Sequence, residues 1–205
     1  MAQDFSNNWE AFFSYSNIVD LDQSGNLIYA ASDNSIFVYN TTLNTFETIT
    51  TVNGLSGDSI SQIHYSENKS LLVVAYENGL IQILPETGDV INIVSIRDKQ
   101  SIAPADKRIN EFLESGDLLY MATDFGIALY NLALLEFDNT YFIGDNGTQL
   151  QINSLDISGG FIYAATTGGG IRRASIANPF LLDFMNWSQL NTTDWDEMNS
   201  FNNEI

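Results

Sequence analysis

The chain has 205 residues, 26 Asp and Glu against 7 Lys and Arg, a formal net charge of −19, and no cysteine. That charge repels a phosphate backbone, which argues against nucleic-acid binding. Without Cys, and with His64 as its one histidine, the chain has no disulfide framework, no thiolate nucleophile, no Cys-based metal centre and no His₂ or His₃ metal site. No apolar run approaches the roughly 18 residues that span a bilayer, and no cofactor is expected.

The first residues, Met1-Ala2-Gln3-Asp4, run into a polar, aromatic segment without a basic or apolar signal-peptide pattern. This fits a cytoplasmic protein, or a mature exported protein carrying an initiator Met. The 22 Asn and the scarcity of Lys lean towards export.

An Ile-x-x-apolar step then opens a pattern: Ile18 to Leu21, the turn Gln23-Ser24-Gly25-Asn26, the anchor Ile28-Tyr29-Ala30-Ala31, the turn Asp33-Asn34-Ser35, a third strand Ile36–Tyr39 and a fourth Phe46–Thr50. The pattern returns from Ile60 with the anchor Leu72-Val73-Val74-Ala75, the turn Glu77-Asn78-Gly79, Leu80–Ile83 and Val90–Val94. It returns from Ile109 with Leu119-Tyr120-Met121-Ala122, Asp124-Phe125-Gly126, Ile127–Tyr130 and Asp138–Ile143. A fourth copy runs from Ile152 through Ile162-Tyr163-Ala164-Ala165, Gly168-Gly169-Gly170, Ile171–Ala174 and Asp183–Trp187. The aligned alanines Ala31, Ala75, Ala122 and Ala165 are spaced 44, 47 and 43 residues apart. Asn131–Phe137, the one helical alternative, falls where a loop between strands belongs.

Four short antiparallel strands per 45 residues make one propeller blade. An anchor apolar at consecutive positions is a strand buried on both faces, as between neighbouring blades. The fold expected is therefore all-β: a β-propeller of four four-stranded blades, at about 17–52, 60–96, 109–143 and 152–190. Residues 191–205 start a fifth, because Trp195 precedes Phe201 and Asn203 as Trp9 precedes Tyr15 and Asn17. The chain then reads as a fragment of a larger propeller, able to self-associate through its open edges. The rival reading is a closed four-bladed ring with a loose tail.

His64 reads as a strand histidine bonded locally, since no Gly-x-Ser-x-Gly nucleophile motif accompanies it. Glu111, Glu114 and Asp117 cluster, as do Asp194, Asp196 and Glu197, but without calcium-loop spacing. They read as solvated turns, and Gly168–Gly170 as a hairpin turn. The candidate ligand site is the linker 97–108, which holds four of the seven cations: Arg97, Lys99, Lys107 and Arg108. In a propeller it shares a face with the turn after each second strand, so Tyr76, Glu77, Asp124, Phe125, Asp145 and Asn146 belong to that face. Such a loop can bind phosphate or carboxylate directly; its alternative is a solvated loop pairing with Asp98 and Asp106.

Asn53-Gly54-Leu55-Ser56, with Gly79-Leu80 and Gly126-Ile127, resembles the repeat of two-component-regulator propellers. Thr51–Ser56, Ala75–Gly79, Tyr141–Gly147 and the Trp9–Asn17 segment together resemble the N-terminal propeller of PorZ-type proteins, surface components of the type IX secretion system of Bacteroidota. That resemblance implies a non-enzymatic binding and scaffolding role at the cell surface or periplasm. It implies contacts with secretion and attachment proteins and with anionic lipopolysaccharide, and Ala2-Gln3 then suits the residues after signal cleavage. The alternative is a ligand-sensing periplasmic propeller of a hybrid two-component receptor recognising oligosaccharides. A propeller lyase or glycosidase is the third reading, for which no residues have catalytic spacing.

Overall fold

The computed structural model describes residues 17–198. The Trp9–Asn17 comparison, apart from Asn17, and residues 199–205 lie outside the described residues. The rest forms four antiparallel four-stranded sheets. Blade 1 comprises β1 (Asp20–Ser24), β2 (Leu27–Ala31), β3 (Ile36–Asn40) and β4 (Thr45–Ile49). Blade 2 comprises β5 (Ile60–Ser66), β6 (Leu71–Tyr76), β7 (Ile81–Pro85) and β8 (Ile91–Ile93). Blade 3 comprises β9 (Ile109–Ser115), β10 (Leu118–Thr123), β11 (Gly126–Asn131) and β12 (Glu136–Tyr141). Blade 4 comprises β13 (Ile152–Ser158), β14 (Phe161–Thr166), β15 (Gly170–Ser175) and β16 (Ser188–Gln189).

The first strands lie side by side, β1 beside β5, β5 beside β9 and β9 beside β13. They line the axis, and the fourth strands form the outer rim. No comparable contact joins β13 back to β1 among the described residues. The blades form an open arc, not the closed four-bladed ring.

Burial follows from this stacking. Every residue of β6 is buried, as are five of six in β10. In β2 burial alternates, with Tyr29 and Ala31 covered by blade 2 and Ile28 and Ala30 half-covered. The expected two-faced burial of Ile28–Ala31 therefore fails in blade 1. The face turned away from blade 2 carries Ile18, Leu21 and Phe46 at 44%, 63% and 72% exposure.

One fourth strand also differs. Asp183–Trp187 is not a strand: Asp183 accepts a hydrogen bond from the Met185 amide and starts a 3-10 turn, Phe184–Asn186. Trp187 turns into the blade 3–4 core with its indole N–H on the Leu181 carbonyl. The pairing strand is the two-residue β16. Asn131–Phe137 contains no helix. Asn131 Oδ1 accepts from the Ala133 and Leu134 amides, as Asn40 Oδ1 accepts from Thr42 and Leu43 in blade 1.

The Asn-Gly-Leu-x motif has a mechanical role. Asn53 Oδ1 accepts from the Thr50 amide, Gly54 takes φ +104°, and Leu55 drops into the blade 1–2 core. The Ser56 amide then donates to Gln82 Oε1 at 3.0 Å. Gly126, between the second and third strands of blade 3, is tightly constrained. It sits at φ +152°, and a Cβ there would lie 2.4 Å from the Tyr141 carbonyl oxygen. Gly126→Ala is expected to destabilise by about 2–3 kcal/mol. Gly116→Ala meets nothing within 4 Å and bears only its positive φ, about 1 kcal/mol. Urea unfolding of the two variants checks that order.

Candidate functional site

The first strand of each blade is an edge strand, so alternate amides point at the axis unpaired. In blades 2 and 4, carboxylates of the preceding blade satisfy some of them. Asp20 Oδ2 accepts from the Ile63 amide at 2.8 Å, and Asp22 Oδ2 from the Tyr65 amide at 2.6 Å. Glu111 accepts from the Leu155 amide and, at 3.2 Å, from the Ser154 hydroxyl.

Asp20, Glu111 and Ser154 occupy unspecified places of the Ile-x-x-apolar steps, and Asp22 directly follows the first step. Asp20, Gln62, Asn110 with Glu111, and Asn153 with Ser154 converge from four blades on a hollow of about 360 Å³, which Asp196 and Glu197 also line. Asn110 Nδ2 donates to the Ile152 carbonyl and to Asp124 Oδ1, both at 2.8 Å. One blade on, Asn153 Nδ2 donates to the Trp195 carbonyl at 2.9 Å, and Ser154 Oγ accepts from the Met198 amide at 3.1 Å. Residues 195–198 thus stand towards blade 4 as 152–155 stand towards blade 3.

Glu111 and Glu114 are not solvated turn residues. Three positions apart on β9, they face opposite sides of the strand, Glu111 towards blade 4 and Glu114 towards blade 2. Glu114 accepts from His64 Nε2 at 2.8 Å, Ser66 Oγ at 3.0 Å and Asn68 Nδ2 at 3.1 Å. His64 Nδ1 lies 3.3 Å from Asp22 Oδ2. The histidine is therefore not bonded locally; it ties blades 1, 2 and 3 together at the axis. Burial alone would pull its pKa down, but bonds to Asp22 and Glu114 carry it above the usual imidazole value. Burial works against the Asp22 carboxylate too, and the His64 bond and the Tyr65 amide bring it below the usual range. Burial pushes Glu111 up to about 7, opposed by the Leu155 amide and Ser154 and aided by Glu197 and Asp156. Asp117, in the hairpin turn, pairs with Lys69 at 2.5 Å. Asp194 accepts from the Gly168 and Gly170 amides and closes that hairpin turn.

The linker lies against the turns that follow the second strands of blades 2 and 3. A Cβ at Gly79 would sit 3.0 Å from the Lys107 carbonyl, Asp124 meets Asn110, and Gln149 Nε2 donates to the Ser101 carbonyl at 3.3 Å. Beside it, Ser101, Phe142 and Gly147–Gln149 line a groove of about 610 Å³. Three proposed ligand residues are withdrawn from this surface by burial. Tyr76 is fully buried with its hydroxyl on Gln82, Phe125 is packed against Phe142, and Lys107 turns inward to donate to the Arg97 carbonyl. Asp124 is half-buried on Asn110, whereas Asn146 is exposed. Asp145 is exposed but pairs with buried Arg172 at 2.7 Å, a cation that reasoning from the sequence passed over. Arg97 pairs with Asp98 at 2.9 Å, and Arg173 lies over the Phe161 ring. Lys99 and Arg108 have no side-chain partner among the described residues.

The repeat and the four-stranded blades agree with one family. The family model of the type IX secretion PorZ N-terminal β-propeller domain matches residues 28–188. The chain belongs to the PorZ N-terminal β-propeller family. Among solved structures it is similar to PorZ, described as an essential bacterial surface component of the type IX secretion system of Porphyromonas gingivalis. The identity is 22% and the TM-score 0.70, over 85% of this chain and 22% of that one. It is also similar to two structures of the extracellular domain of one B. thetaiotaomicron protein, described in one as a putative one component system and in the other as a putative hybrid two component system. These have identities of 17% and 16% and TM-scores of 0.63 and 0.60, over 83% and 80% of this chain and 22% and 21% of theirs. This chain thus spans about a fifth of each. No curated protein matches. Among the described residues, no helix is long and apolar enough to cross a membrane.

Proposed function

We propose that this PorZ-family chain is a non-catalytic binding and scaffolding propeller of a type IX secretion attachment complex, exported to the cell surface or periplasm. The observation that carries this reading is the family match over residues 28–188. Its partners are proteins of that complex and anionic lipopolysaccharide. Residues 191–205 begin a further blade, in keeping with the bonds of Trp195 and Met198 to blade 4. Association through the exposed face of blade 1 belongs to the same reading.

The site chemistry favours holding over turnover. Both Glu111 oxygens and both Glu114 oxygens accept bonds from neighbouring blades, which fixes them as joints. For an anionic glycolipid the linker offers Lys99 and Arg108, with Arg97 beside Asp98 and exposed Asn146 next to the groove-lining Gly147. A charge-assisted contact from Lys or Arg to a phosphate or carboxylate acts at short range, so it operates within an unfavourable overall field. The Lys99→Glu/Arg108→Glu double variant is expected to bind immobilised anionic lipopolysaccharide about tenfold more weakly than the unaltered chain. Equal binding removes the linker from the reading. Likeness to the B. thetaiotaomicron extracellular domain supports a second reading, an oligosaccharide-sensing propeller. Saturable binding of neutral oligosaccharides without lipopolysaccharide binding would favour it.

A further inference from the structure

We infer that the cleft between blades 1 and 2 holds a guanidinium- or ammonium-bearing side chain of a partner polypeptide. The cleft measures about 370 Å³. Val38, Ile49, Leu84 and Pro85 give it apolar walls, and Glu47 and Glu86 supply a carboxylate from each blade. Tyr29 and Tyr65 stack within it at 5.2 Å. Tyr29 is only 6% exposed, yet its hydroxyl makes no hydrogen bond among the described residues. The hydroxyl opens into the cleft and is free to bond an occupant with polar atoms. Tyr65 donates to Glu86 Oε1 at 2.8 Å, which leaves the other Glu86 oxygen and the whole of Glu47 without a partner among the described residues.

The neighbouring joints show what is unusual here. Glu47 stands opposite Val38 in the place that Ile91 takes opposite Ile83. Glu86 follows Leu84 by two positions, as Leu132 follows Tyr130, and Leu132 is buried in the blade 2–3 core. The corresponding Ile176 packs with Leu181 and Trp187 in the blade 3–4 joint. At the Glu86 position two joints are thus closed by apolar side chains, whereas this one carries a carboxylate beside a hollow; the Glu47 position is exposed in blade 2 as well, where it holds Ile91.

The shape and charge suit one occupant. The aliphatic stem of Arg or Lys lies along apolar walls while its head reaches polar groups. A guanidinium matches carboxylates in geometry and stacks on tyrosine. Among the described residues, no cation lines the cleft. The inference uses none of the linker residues, so it stands or falls apart from glycolipid binding.

The test is an NMR titration of the 205-residue chain with N-acetyl-arginine methylamide, alongside N-acetyl-leucine methylamide and methyl glucoside. The arginine compound is expected to shift Tyr65, Glu47 and Glu86 saturably, with Kd on the order of 1 mM, and the other two to leave them unmoved. Glu47→Gln and Glu86→Gln, both at exposed side chains, should each weaken it about tenfold. Absence of saturable shifts in the unaltered chain overturns the inference. So does unchanged affinity in both variants, or saturation by the glucoside alone.

Discussion

Replacing His64 by alanine should lower the unfolding free energy by about 2–3 kcal/mol at pH 6, and by much less at pH 9. The imidazole lies between Asp22 and Glu114. A neutral ring carries one N–H and can donate to one of them; only the imidazolium donates to both. The folded pKa of His64 is raised, so its contribution is full below the unfolded value of about 6.5 and is lost as pH rises through the folded value. Asp22 is lowered, so its contribution is present above about 3.8 and is lost as pH falls through its folded value. The joint is complete between those limits. Urea unfolding of both proteins across pH 5–9 reads the difference. An equal loss at both ends would show that His64 contributes packing alone.

The Glu111→Gln variant should lose most of the pH dependence between pH 4.5 and 8, and should be more stable than the unaltered chain at pH 8. A carboxyl raised from 4.5 to about 7 binds its proton more tightly in the folded state. Its contribution is full below the unfolded value and is lost as pH rises through 7. The difference is on the order of 3 kcal/mol. Glutamine keeps an acceptor for the Leu155 amide without the buried charge near Glu197 and Asp156. Unfolding free energies at pH 4.5, 6 and 8 give the slope; a variant as steep as the parent would mean that Glu111 is not its source.

The blades were legible because burial between neighbours writes itself into consecutive apolar residues, as at Leu72–Ala75. Blade 4's fourth strand was not, because Asp183–Trp187 has the composition of a strand but a capping residue at its start. The face of the site was legible from topology. The burial of Tyr76 was hidden in the repeat itself. Tyr76 aligns with Ser32, Thr123 and Thr166, all buried, and the last two close the following turn with a hydroxyl. A side chain in that place points inward whatever its type. The converging groups at the axis were missed because they fill the variable positions of the Ile-x-x-apolar step. Their shared role is positional and shows only when four blades are set side by side.

The central proposal is that this propeller binds at a surface assembly through its linker face. The direct measurement is a binding isotherm of the unaltered chain on purified lipopolysaccharide with and without its anionic polysaccharide. Saturable binding to the anionic form alone, weakened by salt, is the result predicted. Binding to neither form, or to both equally, contradicts it.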